Sequence, residues 1–154
     1  MTIRYLLDTN ILLRACDPAS SSYALALEAI ARLLAQGEEC VITPQVLIEF
    51  WVVATRPIAV NGLGWNADQT HTEVEQILDQ FTLLEDNPQI FRQIFSHWLN
   101  YVTTYKVMGK RVHDARLIAV MLTHGVTHLL TFNIDDFTST AGIIVVHPQT
   151  VIDS

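Results

Sequence analysis

The amino-acid sequence predicts an α/β protein in which helices cover a central, mostly parallel sheet of four to five strands. Short apolar runs of strand length alternate with longer segments of helical periodicity, a pattern typical of crossover connections between parallel strands. Half of the 154 residues are apolar and 16% are charged, which excludes a disordered chain. Because no repeat or linker interrupts residues 1–154, we expect a single domain.

The predicted strands are five short apolar runs, of which the third is the weakest. These runs are residues 3–7, 40–42, 82–84, 128–131 and 143–146. Between them, apolar side chains recur at helical spacing and predict a series of helices. The helices are expected to begin near residue 11, after the serines at 20–22, at Pro44, before Val74, at Pro88 and near Val112.

Capping residues set the ends of several of these helices. Asp8 and Thr43 each follow a predicted strand directly and have the side chains that N-cap positions favour. Asn87 precedes a proline at the first helical position, as Thr43 does. Gly37 and Gly125 follow the last apolar residues of two helices and are placed to end them.

The sequence indicates a cytoplasmic protein that does not cross a membrane. No apolar run approaches the roughly 20 residues that span a bilayer. The N-terminal apolar run is broken by Asp8 and makes a poor signal peptide. Cys16 and Cys40 have neither CxxC nor zinc-site spacing, so we expect reduced, packed thiols.

The net charge of −7 disfavours a broad nucleic-acid-binding surface, because phosphate contacts need lysine and arginine. The basic residues are nevertheless unevenly distributed, and four of the nine lie in one short segment. They are Lys106, Lys110, Arg111 and Arg116. Such a segment is usually a solvated face, but beside an acid it is a candidate for binding phosphates.

Three acids lie where a parallel sheet could bring them together. Asp8 follows the first strand, Glu49 lies in a helix that is apolar on nearly all sides, and Asp114 lies in the first turn of a later helix. Each also has a structural explanation: a helix cap, a side chain that reaches water, and a favourable helix dipole, respectively. A buried carboxylate is costly, however, unless it is paired or bound to a metal.

A fourth polar cluster follows the strand that ends near Thr131. There Asn133 and Asp136 are the residues expected to turn back toward the sheet, whereas Asp135 suits a solvated turn. Converging carboxylates cannot all remain ionised unless a cation screens them. An all-oxygen site without cysteine suits Mg²⁺ or Mn²⁺, and such an ion can activate water for phosphodiester hydrolysis.

Four segments, in this order along the chain, resemble the motifs of the PIN-domain family. They are Leu6–Asn10, Leu47–Phe50, His113–Ala119 and Leu130–Phe137. The resemblance spans nearly the whole chain and implies a three-layer α/β/α fold with Mg²⁺- or Mn²⁺-dependent endoribonuclease activity. The small size also resembles VapC-type toxins, which implies a small antitoxin partner and a homodimer.

The resemblance also implies roles for particular residues. Asp8, Glu49, Asp114 and Asp136 are expected to be catalytic and to bind the metal, with Asn133 as a further metal ligand. Candidates for substrate binding are Thr9, Asn10, Lys110, Arg111, Arg116 and Thr131. One departure from the family pattern is Asn133, which stands where many members have an acid. Either Asn133 or Asp136 could therefore complete the site.

Two other interpretations are open at this point. A non-catalytic RNA-binding or scaffold module with this fold is favoured by Asn133 and disfavoured by the three intact acids. A phosphatase or a phospho-receiver domain on a similar sheet is disfavoured, because Asn10 stands where a phosphatase would need a second aspartate. Helically spaced aromatic residues are expected in the core or a dimer interface, rather than stacking on bases: Phe91, Phe95, Trp98 and Tyr101.

Overall fold

The computed structural model describes residues 1–85, 87–137 and 142–154 of the chain. Within these ranges the strands are β1 (Arg4–Leu7), β2 (Glu39–Ile42), β3 (Thr82–Leu83), β4 (His128–Leu130) and β5 (Ile144–Val146). The helices are α1 (Thr9–Ala15), α2 (Tyr23–Ala35), α3 (Pro44–Thr55), α4 (Ala67–Gln80), α5 (Pro88–Thr104), α6 (Arg111–His124) and α7 (Pro148–Asp153).

The strands form one parallel sheet in the order β3-β2-β1-β4-β5, which confirms the predicted sheet. Successive strands from β1 to β3 extend the sheet in one direction, whereas β4 and β5 add to the other side of β1. The strand order therefore reverses between β1 and β4. In open parallel sheets this reversal leaves a crevice at the carboxyl ends of the strands, where ligands bind.

Helices flank the sheet on both faces, as the α/β/α prediction requires. Right-handed crossovers that run in opposite directions along a sheet place their helices on opposite faces. The connections from β1 to β3 carry α1–α4, and the return connection to β4 carries α5 and α6, which pack on each other. Between the layers, Leu6, Leu7, Val41 and Leu129 are fully buried.

Helix α5 has one buried and one exposed apolar face. Ile94 and Tyr101 lie in the core, whereas the side chains of Phe91 and Phe95 are 54% and 53% exposed. The aromatic series on this helix is therefore divided between the core and an open surface. No helix in the described ranges has the combination of length and apolar character that crossing a membrane requires.

Helix α7 was not predicted from the sequence. It has only six residues, too few for an apolar periodicity to be recognised. Its first turn is capped by His147, whose Nδ1 accepts a hydrogen bond from the Gln149 N–H at 3.0 Å. Packing on α2 and a 2.7 Å bond from Arg32 Nη1 to the Ile152 carbonyl hold it in place.

Both cysteines are free thiols, as predicted. Cys16 lies near Glu73, and Cys40 lies in β2. Burial is the main cause that raises the pKa of each thiol to about 12, with a smaller contribution from a neighbouring glutamate. Neither thiol is therefore an activated nucleophile.

The start of α3 generates a prediction about stability. Thr43 is buried, and its Oγ1 accepts a hydrogen bond from the Val46 N–H at 3.2 Å, which caps the helix. Thr43→Ala should lower the free energy of unfolding by about 1 kcal/mol and the thermal midpoint by roughly 2–4 °C. Thr43→Ser keeps the hydroxyl and should retain most of the stability. Equal midpoints for the alanine and serine variants would contradict this role of the cap.

Candidate active site

Asp8 is fixed at the carboxyl end of the central strand. Its backbone N–H donates to the Leu130 carbonyl at 3.0 Å, so the chain is still paired with β4 where the carboxylate begins. The Asp8 Oδ1 accepts the Thr9 N–H at 2.8 Å and caps α1. The residue is buried, and this burial raises the pKa of its carboxyl despite the hydrogen bonds that lower it. The N-cap explanation and the site explanation therefore both apply to Asp8.

Thr131, directly after β4, connects the two central strands through its side chain. Its buried hydroxyl donates to Asp8 Oδ2 at 2.8 Å. The same oxygen accepts from the Asn133 N–H at 3.0 Å and from Asn10 Nδ2 at 3.1 Å. A hydroxyl has one donor and two acceptor positions, so this one is fully used. Thr131 therefore holds the Asp8 carboxylate in a fixed orientation.

Glu49 approaches Asp8 from helix α3. Its Oε2 accepts a hydrogen bond from Thr9 Oγ1 at 3.0 Å, and its Oε1 accepts one from Gln45 Nε2 at 3.1 Å. The side chain is half-buried at the edge of the core, and its negative charge contributes to the raised pKa of Asp8. Thr9 thus bridges the two acids, because its N–H binds one and its hydroxyl binds the other.

Asp114 brings a third acid from the first turn of α6. Burial is the main cause that raises the pKa of this carboxyl from 3.8 to about 6. The charges of Asp8, Asp136 and Glu49 raise it further, while Arg111 lowers it. Four acids from four segments of the chain therefore form one electrostatic cluster in the crevice.

The segment after β4 places Asp136 and Asn133 differently. Asp136 lies in a short 3₁₀ turn, Ile134–Phe137, and its charge raises the pKa of both Asp8 and Asp114. Its Oδ1 lies 3.6 Å from Arg111 Nη2 in an exposed ion pair. The Asn133 side chain is exposed, while its N–H is bound by Thr131. Asp136 is thus the residue of this segment whose charge couples to the other acids.

Gln45 is a member of the site that the sequence prediction missed. Its Nε2 donates to Glu49 Oε1 and, at 2.8 Å, to the His113 carbonyl at the start of α6. Its Oε1 accepts from Arg116 Nη1 at 2.8 Å. Gln45 therefore ties α3 to α6 and fixes two candidate side chains. Its position one helical turn before Glu49 was the available signal.

The basic candidates lie along the start of α6. Lys110 occupies the exposed N-cap position of this helix, and Arg111 follows it. Arg116 lies one turn further and is half-buried. Asn10 is directed into the protein instead, since its Oδ1 accepts the Phe132 N–H at 3.1 Å. The structure thus separates basic groups at the rim from polar groups that hold the acids.

The donors of the crevice suit a divalent cation chemically. They are carboxylate, amide and hydroxyl oxygens, and the mutual repulsion of the acids would be relieved by positive charge. No three His, Cys, Asp or Glu side chains within residues 1–85, 87–137 and 142–154 are placed closely enough to hold an ion by themselves. Mg²⁺ fits such an open arrangement, because it keeps several waters and needs only one or two carboxylates.

Comparison with known families and structures agrees with this geometry. The family model described as "PIN domain" matches residues 5–143, which is most of the chain. Among curated proteins, no sequence matches significantly.

Solved structures share the fold at low sequence identity. VapBC2 from Rickettsia felis, bound to a DNA fragment from their promoter, matches with a TM-score of 0.66 and 19% identity over 94% of this chain and 98% of that chain. VapBC-1 from nontypeable Haemophilus influenzae matches with a TM-score of 0.66 and 18% identity over 96% of this chain and 99% of that chain. VapC20 from Mycobacterium tuberculosis, a sarcin–ricin loop cleaving toxin, matches with a TM-score of 0.62 and 15% identity over 91% of this chain and 98% of that chain.

The raised pKa of Asp114 generates a prediction about pH. Since folding raises this pKa from 3.8 to about 6, Asp114 favours the folded state below about pH 4. That contribution is lost as pH rises through about 6. In EDTA, Asp114→Asn should therefore become more stable relative to wild type as the pH rises from 4 to 7. The difference between the two thermal midpoints should change by roughly 2–4 °C, which corresponds to a change of about 1 kcal/mol in the free energy of unfolding after allowing for solvent screening.

The matched control is Asp135→Asn, which removes one charge at an exposed position of the neighbouring turn. Calorimetry of the three proteins across this pH range measures the effect. A difference between wild type and Asp114→Asn that does not change with pH would contradict the role given to burial.

Proposed function

The chain belongs to the PIN-domain family, and from this premise we propose that it is a metal-dependent endoribonuclease, the toxin of a toxin–antitoxin pair. The observation that carries the proposal is the convergence of Asp8, Glu49, Asp114 and Asp136 in the crevice where the strand order reverses. Further support comes from the likeness of its fold to VapC20, a sarcin–ricin loop cleaving toxin. We place this activity in the cytoplasm.

We assign the metal site to the four acids, some of which would hold the ion through water molecules, with Asn133 as an additional oxygen ligand. The ion would be Mg²⁺ or Mn²⁺, and when bound it would activate a water and stabilise negative charge on the phosphate. Of the four acids, we assign Asp114, in the first turn of α6 beside the other three, to accept the proton of the attacking water.

We assign the basic residues at the start of α6 to the RNA backbone. Lys110 and Arg111 are exposed near Asp114, so the phosphates of an RNA strand can reach their charged groups. Arg116 is pre-oriented for the same purpose by Gln45. Thr9, Asn10 and Thr131 were expected to bind substrate, but their hydrogen bonds to the acids favour a positioning role.

We further propose two protein partners. A small antitoxin follows from the resemblance to VapC-type toxins and is supported by the shared fold with the VapBC structures. A second copy of the chain would cover the open face of α5. There Phe91 and Phe95 are exposed beside an apolar groove of about 210 Å³, and such patches mark protein interfaces.

The proposed activity predicts metal-dependent RNA cleavage. The purified chain, free of antitoxin, should cleave RNA in Mn²⁺ or Mg²⁺, and EDTA should abolish the cleavage. Asp8→Asn and Asp114→Asn should each reduce the rate by at least about 100-fold, because each removes a group that acts on the metal or a proton. End-labelled RNA resolved on denaturing gels measures the rates and maps the cleaved bonds.

The control for charge is Asp135→Asn, which should cleave like wild type. Cleavage that resists EDTA and both substitutions would point to a contaminating nuclease. RNA binding without any cleavage by folded wild type would favour the non-catalytic RNA-binding module that Asn133 suggested.

The open face of α5 predicts that the protein dimerises. Phe95→Asp should shift the molecule from dimer to monomer at micromolar concentration, since the substitution places a charge in an apolar interface. Light scattering coupled to gel filtration measures the mass. Leu78→Asp, at another exposed apolar position on α4, should remain dimeric. A wild-type protein that is monomeric at this concentration would refute the dimer.

A further inference from the structure

We propose that the cleft beside Asp114 and Asp136 is a subsite for a single unstacked nucleobase of the RNA strand, next to the bond that is cut. We call it the base cleft, and the inference rests on the proposed ribonuclease function. Its volume is about 360 Å³, within the range of about 300–1,000 Å³ that is usual for ligand pockets. Its wall combines two of the site acids with aromatic, apolar and basic side chains from the end of α5 and the following loop.

Tyr105 gives the base cleft an aromatic surface. Its ring centroid lies 4.7 Å from that of Tyr101, with an interplanar angle of 45°. Tyr101 is buried, whereas Tyr105 is 42% exposed, so the inner ring supports the outer one and leaves part of it open. Bases stack on such rings whatever their sequence, because every base has a π face. The helical spacing of Tyr101 and Tyr105 thus serves two purposes, one in the core and one at the surface.

The loop between α5 and α6 contributes exposed apolar side chains to the base cleft. Met108 is 80% exposed, and Val107 and Phe137 line the same cleft. A thioether is polarisable and packs well against the edge of an aromatic ring. An exposed methionine beside an open tyrosine ring is therefore suited to close over a flat ligand such as a base.

Two cations lie at the same cleft. Lys106 and Arg111 both line it, and Arg111 is already paired with Asp136 at 3.6 Å. A nucleobase brings a phosphate on each side, and these two cations can bind the phosphates that flank it. The juxtaposition of ring, cations and acids around one cleft fits a nucleotide within a strand better than an uncharged apolar ligand.

The backbone of Lys106 supports a role for its side chain. It follows the last turn of α5 with φ of 54°, in the left-handed region, and the Val107 N–H closes the helix on the Val102 carbonyl at 3.0 Å. Glycine is the usual residue at this position because other side chains are strained there. A lysine here lowers stability, and its contribution to the wall of the cleft gives that strain a function.

The test is a scan of the RNA substrate with abasic nucleotides. Once wild type and Mn²⁺ have defined the cleaved bond, each nucleotide around it is replaced in turn by an abasic one. One position should reduce kcat/KM by roughly 5- to 50-fold, mostly through KM. Tyr105→Leu, which keeps apolar volume but removes the ring, should cause a similar loss on intact RNA. On the abasic substrate, Tyr105→Leu should cause little further loss.

Tyr105→Phe keeps the ring and should restore most of the kcat/KM that Tyr105→Leu loses on intact RNA, which separates stacking from loss of fold. Two results would overturn the base cleft. One is an equal kcat/KM for every abasic substrate. The other is a combined loss of kcat/KM, for Tyr105→Leu acting on the abasic RNA, that equals the product of the two separate losses. If wild type cleaves no RNA at all, the proposed function itself fails, so the two failures are distinguishable. Inhibition by a mononucleotide at concentrations comparable to the KM for RNA would instead assign the cleft to free nucleotides.

Lys106→Gly gives a second test, because its effects on stability and on substrate should have opposite signs. Relief of the left-handed strain should raise the thermal midpoint by about 2–4 °C. Loss of the cation should raise the KM for RNA several-fold and reduce its dependence on salt. Two controls should leave KM unchanged. Asn61→Gly relieves the strain at Asn61, the other non-glycine residue with a left-handed backbone in the described ranges, and Arg14→Gln removes a positive charge elsewhere. An unchanged KM for Lys106→Gly would count against the cleft.

Discussion

The burial of several carboxylates in one crevice is the constraint on which the rest of the structure depends. Asp8 is buried at the end of the central strand, where an ionised carboxylate is costly unless its oxygens are bound. Its two oxygens are bound by the Thr9 N–H and the Thr131 hydroxyl. These bonds orient Asp8 but do not offset its burial and, to a smaller extent, the charges of Glu49 and Asp136, which together still raise its pKa. The protein is therefore built around a charge imbalance that a cation would relieve.

The sheet order is what brings the acids together. A hydrogen bond from the Asp8 N–H to the Leu130 carbonyl joins the ends of β1 and β4, so the segments that follow both strands open into one crevice. Gln45 then links α3 to the start of α6, although α4, β3 and α5 separate these two helices in sequence. The geometry of the acids thus depends on neutral side chains, Thr131 and Gln45, as much as on the acids themselves.

Local signals allowed most of this arrangement to be predicted from sequence. Asp8, Thr43 and Asn87 cap helices as their residue types indicate, and the strands follow short apolar runs. What the sequence did not reveal depends on tertiary contacts. Helix α7 is held by its packing on α2, and the base cleft forms only because the end of α5 folds back beside the turn that carries Asp136.

The overall negative charge and the proposed RNA substrate are compatible because the relevant field is local. The two lysines of the chain, Lys106 and Lys110, flank one loop that leads into α6, and Arg111 follows at once. A divalent cation among the acids would extend this positive strip into the crevice, where the bare carboxylates would repel a phosphate. The same ion would also oppose the burial and the repulsion that together raise the pKa of Asp8 and Asp114. Stability of the fold and attraction of the substrate would then be coupled through one binding event, since both depend on neutralising the same four acids.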